Sequence, residues 1–127
     1  RGLGDVYKRQ NVHWERILSD ILEQIPKNES FSYRVFDCGV MDLGDAVQVT
    51  PKTLNILEGS YSTHPELIGC YDLKIFLKTS PETQSARILK RNGPARHKMF
   101  VEKWIPLENL YFTSYPVEKQ CDLVFTT

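Results

Sequence analysis

The sequence predicts an α/β fold, and three observations carry that expectation. Two short apolar runs, "TLNILEG" (53–59) and "YDLKIFLKT" (71–79), have the length and composition of buried strands. Between and after them lie segments with helical spacing, so the order is strand, crossover, strand, as in a parallel sheet. The chain has 127 residues, 41% of them hydrophobic, which suits a single core of about 100 to 200 residues.

Taken in order, "RGLGDVYKRQ" (1–10) has neither helical nor strand period and is set aside as a leader foreign to the fold. Its GLG follows no apolar strand and is closed by no Gly-Lys-Ser/Thr, so it does not qualify as a phosphate loop. From Asn11 onward, Val12, Ile17, Leu18, Ile21, Leu22 and Ile25 recur at helical spacing, with Asn11 as N-cap and Pro26 as the stop. "SYRVFD" (32–37) and "AVQVT" (46–50) alternate with strand period around a turn-rich stretch, which predicts a β-hairpin. A short helix is expected around Pro65 to Ile68. After the 71–79 strand, Ser80 as N-cap, Pro81 in the first turn, Glu82 beside it and Gly93 as the stop mark a helix at both ends. A second helix is expected from about Arg96 to Tyr115, kinked or broken by Pro106, and "CDLVFTT" ends the chain as a short strand. Trp104, Tyr111, Phe112 and Tyr115 lie at helical spacing and are expected in the core.

Charge and cysteine content narrow the class. Sixteen basic residues balance sixteen acidic ones, so no global field recommends nucleic acid or an acidic membrane as a partner. Three widely spaced cysteines, Cys38, Cys70 and Cys121, fit neither a disulfide framework nor paired metal ligands. A reducing cytoplasm is the expected location, and no apolar run reaches the roughly 18 residues of a spanning helix.

Glu58 ends the first apolar run, where ligands of open α/β sheets bind. A carboxylate there suits Mg²⁺, and Gly59 lets the backbone turn close to a ligand. The alternative is a solvated acid capping the next turn. Ser60, Tyr61 and His64 add donors and an aromatic plane, although a histidine before Pro65 also reads as a structural cap. Arg34, Phe36 and Asp37 offer an anion contact, a stacking face and a hydroxyl acceptor, or equally a cross-strand ion pair beside a core phenylalanine. Cys38 beside them reads as a small hydrophobe. Arg87, Lys90 and Arg91 share a helix face, and Arg96, His97 and Lys98 follow across a Gly-Pro step. Such a face suits a mobile lid over a triphosphate, or a solvated helix end with favourable dipole charges.

In order and spacing, "NVHWERIL", "FSYRVFDC", "VTPKTLNILEGSYSTHPEL", "YDLKIFLKTSPETQSARILKRNG", "EKWIPLENLYF" and "CDLVFTT" resemble the C-terminal two-thirds of bacterial uridine-kinase-like P-loop phosphotransferases. The resemblance covers nearly all of 11–127 and implies the C-terminal portion of a three-layer α/β/α kinase domain with a β-hairpin insertion. The family's strand, GxxxxGK[ST] loop and early catalytic acid would precede Asn11 and are absent from these 127 residues. By resemblance, the activity is transfer of the ATP γ-phosphoryl group to a nucleoside hydroxyl with Mg²⁺. Glu58 would be the Walker-B-like carboxylate near the metal, and Arg87 and Arg91 lid-side catalytic cations. Arg96 would touch ATP, and Asp37, Phe36, Arg34 and Tyr61 would line the acceptor pocket. Ala86 stands where relatives often carry a second arginine. The expected partner is a small-molecule nucleoside, with neither nucleic acid nor membrane, and a homo-oligomer is compatible with it. The isolated chain is expected to be inactive. Two alternatives stay open: a kinase of another small hydroxyl substrate, pantothenate- or phosphoribulose-like, and a non-catalytic binding protein without a phosphate loop.

Overall fold

The computed structural model describes residues 13–37 and 39–127; the 1–10 leader, the Asn11 cap, Val12 and Cys38 lie outside them. The described residues are mixed α/β and form two compact units, His13–Ser62 and Thr63–Thr127. Each unit carries one two-stranded sheet, antiparallel in the first and parallel in the second.

In the first unit the helical spacing produces α1 (Trp14–Ile17), which widens into π-helical turns at Leu18–Leu22. Its inward residue is Leu22, the one buried hydrophobic residue described in this unit. Pro26 has no N–H to extend the helical ladder, so the chain tightens to a single turn at Ile25–Lys27. Asn28 then takes the left-handed conformation that asparagine tolerates, with φ 54°, and turns the chain into the hairpin. Strands β1 (Phe31–Asp37) and β2 (Asp42–Val49) pair antiparallel from Phe31↔Val49 to Asp37↔Asp42. The expected hairpin is therefore present, with β2 starting four residues earlier than its apolar pattern suggests.

The expected strand at 53–59 is not formed. Residues 51–58 are irregular, and Leu54 and Ile56 are 75% and 82% exposed. A strand exists only where its N–H and C=O groups meet a neighbour, and none of the ladders among the described residues includes this run. Apolar composition alone did not supply the partner.

The second unit opens with His64, whose backbone carbonyl accepts from Leu67 N–H (2.8 Å) and Ile68 N–H (3.0 Å). The helical turn expected at Pro65 to Ile68 is displaced to a short 3₁₀ turn at Ile68–Cys70. The expected 71–79 strand shortens to β3 (Ile75–Lys78), and the final run forms β4 (Leu123–Thr126), pairing Ile75↔Leu123 through Lys78↔Thr126. Between them, α2 (Pro81–Met99) begins where expected, with the Ser80 hydroxyl accepting from Thr83 N–H at 3.2 Å. That cap is worth about 1 kcal/mol. Helical turns then run through a π stretch at Phe100–Trp104 into α3 (Ile105–Ser114) and the short α4 (Val117–Gln120). Pro106 breaks no helix: it sits in the first turn of α3, where its missing N–H costs little.

Tyr111, Leu67, Ile88, Val117 and His64 are the buried residues of this unit. Tyr111 lies 5.3 Å from both Phe112 and Tyr115, and Phe112 meets Phe76 of β3 edge-on at 5.5 Å. Three of the four expected core aromatics thus form the cluster beneath the parallel pair. Trp104 is half-buried under the Lys103 ammonium, 4.8 Å from the ring centre.

The start of the parallel ladder is pinned by Asp122, whose carboxylate accepts from the Lys74 N–H at 2.7 Å and meets the Lys74 ammonium at 3.3 Å. The backbone hydrogen bond first, and the lysine side chain second, hold this carboxyl below the usual carboxylate range. Its pairing therefore stabilises the fold above the unfolded-state value of about 3.9 and is lost as pH falls through the lower folded-state value. Amide exchange at β4 is expected to accelerate on acidification below that value, and Asp122→Asn should remove this acid dependence. Identical acid profiles for the two proteins would refute the assignment.

Candidate functional site

The residues singled out for chemistry divide between the two units. Arg34, Phe36, Asp37, Glu58 and Tyr61 belong to the first, and Arg87, Arg91 and Arg96 to the second.

On β1, Arg34 donates from Nε to the Gly44 carbonyl (2.9 Å) and from Nη2 to the Leu43 carbonyl (2.6 Å). Its own carbonyl accepts from Arg16 Nη2 at 2.8 Å, and Arg16 pairs with Asp20 at 3.2 Å. The guanidinium therefore spans the irregularity in the hairpin, where the register jumps between Arg34↔Ala46 and Phe36↔Leu43. No ion pair joins Arg34 to Asp37 among the described residues. Asp37 instead accepts from the Gly39 N–H at 2.7 Å and shapes the hairpin loop. Phe36 is not a core residue; its ring is about half exposed and able to stack on a planar group. Val40 and Met41 at the loop tip are also exposed, and Met41 holds φ 55°, a conformation uncommon for a residue with a side chain.

Glu58 follows β2 on the irregular segment, exposed and without a hydrogen bond or ion pair among the described residues. Gly59 next to it has φ 153°, with open space where a Cβ would stand. Its carbonyl accepts from Ser62 N–H at 3.1 Å, closing a turn that contains Ser60 and the half-buried Tyr61. A free carboxylate beside a glycine that leaves the backbone approachable suits a hard cation that keeps most of its own water, as Mg²⁺ does. Among the described residues no group of three or more His, Cys, Asp or Glu side chains is placed to hold a metal ion, so Glu58 offers a cation one carboxylate.

His64 takes the structural alternative. It is 2% exposed, and its Nδ1 accepts from the Glu66 N–H at 3.2 Å, capping the turn that Pro65 begins.

The cations of the second unit lie on a broken helix. Gly93 has φ 78° and ψ 171°, a conformation open essentially to glycine alone, so α2 consists of two arms meeting at Gly93 and Pro94. Twelve residues of straight helix span about 18 Å. Ser85 Oγ and His97 Nε2, twelve residues apart, nevertheless lie 2.7 Å from each other, which ties one arm to the other. Arg87, Lys90 and Arg91 ride on the first arm, Arg96 and Lys98 on the second, and all are exposed. Arg87 donates to Thr127 Oγ1 (3.1 Å), Arg91 to Asn92 Oδ1 (2.8 Å), and Lys98 faces Glu102 at 3.8 Å. These contacts are solvent-exposed and weak, so the cations remain available to an anionic ligand. The Ser85–His97 tie has no sequence signature, since no local periodicity brings residues twelve apart together.

Other reactive groups are quiet. Burial, followed by the neighbouring Asp122, pushes the Cys121 thiol up, which keeps it a poor nucleophile at neutral pH. Burial above all pushes the Tyr71 hydroxyl up to about 12. No helix among the described residues is long and apolar enough to cross a membrane.

The chain matches no protein-family model, and no curated protein matches it.

Proposed function

We propose that the chain carries the metal-side acid, the acceptor-binding hairpin and the cationic lid of a uridine-kinase-like phosphotransferase with a three-layer α/β/α fold, moving the ATP γ-phosphoryl group to a nucleoside hydroxyl. The phosphate loop would come from residues outside the 127. The observation that carries this reading is the broken α2, which presents cations on two arms around a glycine-only hinge. Phosphoryl transfer is catalysed largely by positioned positive charge and water exclusion, and a hinged cationic arm is suited to both.

Each residue has a chemical task in this scheme. Glu58 would hold Mg²⁺ through its carboxylate, with Gly59 keeping the backbone clear. Phe36 stacks on the base, and Asp37 has an acceptor oxygen left for a sugar hydroxyl after its bond to Gly39. Arg34 acts through the hairpin, holding Leu43 and Gly44 in place, while Tyr61, three residues after the acid, would complete the acceptor pocket. Arg87, Arg91 and Arg96 neutralise charge on the transferring phosphoryl group. Mg²⁺, when bound with ATP, would spread the charge of the phosphate oxygens.

The test joins the chain to a strand, GxxxxGK[ST] loop and helix and measures turnover with a panel of nucleosides, pantothenate and phosphoribulose. Nucleoside phosphorylation is expected, and Glu58→Gln should lower kcat about tenfold with unchanged circular dichroism. Full turnover in that variant would take Glu58 out of the mechanism, and turnover of another acceptor alone would reassign the substrate.

A further inference from the structure

Where the second arm of α2 points is decided by few contacts. Pro94 holds its own φ through its ring, and the residues on either side of the break are helical, so the soft torsions are φ and ψ of Gly93. The space where a Gly93 Cβ would stand is open, so crowding at the break does not fix those angles. Beyond Met99 the helical turns run on through Phe100–Trp104 into α3, whose far end is held by the Tyr111 and Phe112 rings. Arg96 lies about 22 Å of helix from Tyr111, so its place depends on what holds the near end. Charge works against that hold, because Arg87, Lys90 and Arg91 on the first arm repel Arg96 and Lys98 on the second.

The near end is held by His97. Its Nε2 lies 2.7 Å from Ser85 Oγ, and both side chains are half-buried, where water competes less for the bond. A helical serine can return its hydroxyl to the carbonyl one turn back; this one reaches across the break. A hydroxyl both donates and accepts, so the contact forms with either tautomer of the ring. His97 and Arg96 are consecutive, and fixing the ring of one fixes the backbone that carries the other.

We propose that Ser85 is a positioning residue: through His97 it aims Arg96 at the phosphoryl group that Arg87 and Arg91 meet from the first arm. The identity of that ligand rests on the phosphotransferase reading, whereas the aiming rests on the Ser85–His97 contact alone.

Residual dipolar couplings measure the aim directly. In the unaltered chain one alignment tensor is expected to fit the amides of 82–91 and 95–99 together. Ser85→Ala should keep the melting temperature while the couplings of 95–99 leave that fit, and Ser85→Thr, which keeps a hydroxyl, should restore it. Unmoved couplings in Ser85→Ala would overturn the proposal. So would equal displacement in both variants, which places the effect in packing and not in the hydroxyl. The chain joined to a phosphate-loop segment supplies the functional readout. There Ser85→Ala should lower kcat and kcat/KM together by about fivefold, the size of one ordinary hydrogen bond. In an Arg96→Ala background the same change should cost nothing further, because the residue it aims is gone. Additive losses would overturn action through Arg96. Displaced couplings together with a joined protein that turns over no acceptor would refute the phosphotransferase reading and leave the aiming in place.

Discussion

Tyr111→Ala is expected to lower the stability of the Thr63–Thr127 unit by about 3 to 5 kcal/mol, the usual cost of deleting a fully buried aromatic ring. Tyr111 is 1% exposed and stands 5.3 Å from both Phe112 and Tyr115, so its removal opens a cavity beneath β3 and frees Phe112 from one of its two ring contacts. The unit describes few other buried hydrophobic residues, Leu67, Ile88 and Val117 among them. Such a small core cannot close over the gap. Tyr111→Phe keeps the ring and loses only the hydroxyl, which should cost about 1 kcal/mol. Urea melts followed by far-ultraviolet circular dichroism provide the check. Equal losses in the two variants would place the energy in the hydroxyl, and an unchanged midpoint for Tyr111→Ala would remove the ring from the core.

Gly93→Val is expected to cost about 3 kcal/mol, at the top of the range for a residue held in a glycine-only conformation. The space around a Cβ at this position is open, so the penalty is backbone strain and not a clash with a neighbour. Relaxation into straight helix is blocked by Pro94, which disfavours helical dihedrals in the preceding residue. The chain must either bear the strain or re-aim its second arm, and re-aiming breaks the Ser85–His97 hydrogen bond. A lower melting temperature together with a shifted His97 ring resonance would report this. Gly93→Ala should move both readouts in the same direction by a smaller amount. A valine variant with native melting and an unmoved His97 signal would show that the hinge does not need glycine.

Where one residue's chemistry decides its own conformation, the sequence was legible. Ser80 and Pro81 start α2, Gly93 with Pro94 interrupts it, and alternation between Ser32 and Asp37 marks β1, because caps, glycine dihedrals and strand period act within a few residues. Tyr111, Phe112 and Tyr115 were readable as core for a similar reason, since helical spacing puts them on related faces. His64 was readable as a cap from the proline that follows it.

The site was legible in residue type and illegible in commitment. Arg34 and Asp37 look alike as binding groups in the sequence, yet the guanidinium is spent on two carbonyls of β2, whereas the Asp37 carboxylate gives one oxygen to the Gly39 N–H and keeps the other. Glu58, in contrast, keeps its carboxylate free among the described residues. The apolar run before it shows the same limit for the fold. Burial and strand pairing are relations between distant segments, and "LNIL" carries no mark of whether a neighbour will be there.

By itself the sequence determined the local events: an α/β composition, the hairpin, the capped and hinged cationic helix, and the aromatic cluster. Only the tertiary structure decided which apolar runs became strands, which cations were tied to neighbours, and that Ser85 meets His97 across the break. Local events follow from steric and hydrogen-bonding preferences within a few residues, whereas pairing and burial depend on contacts between groups far apart in the chain.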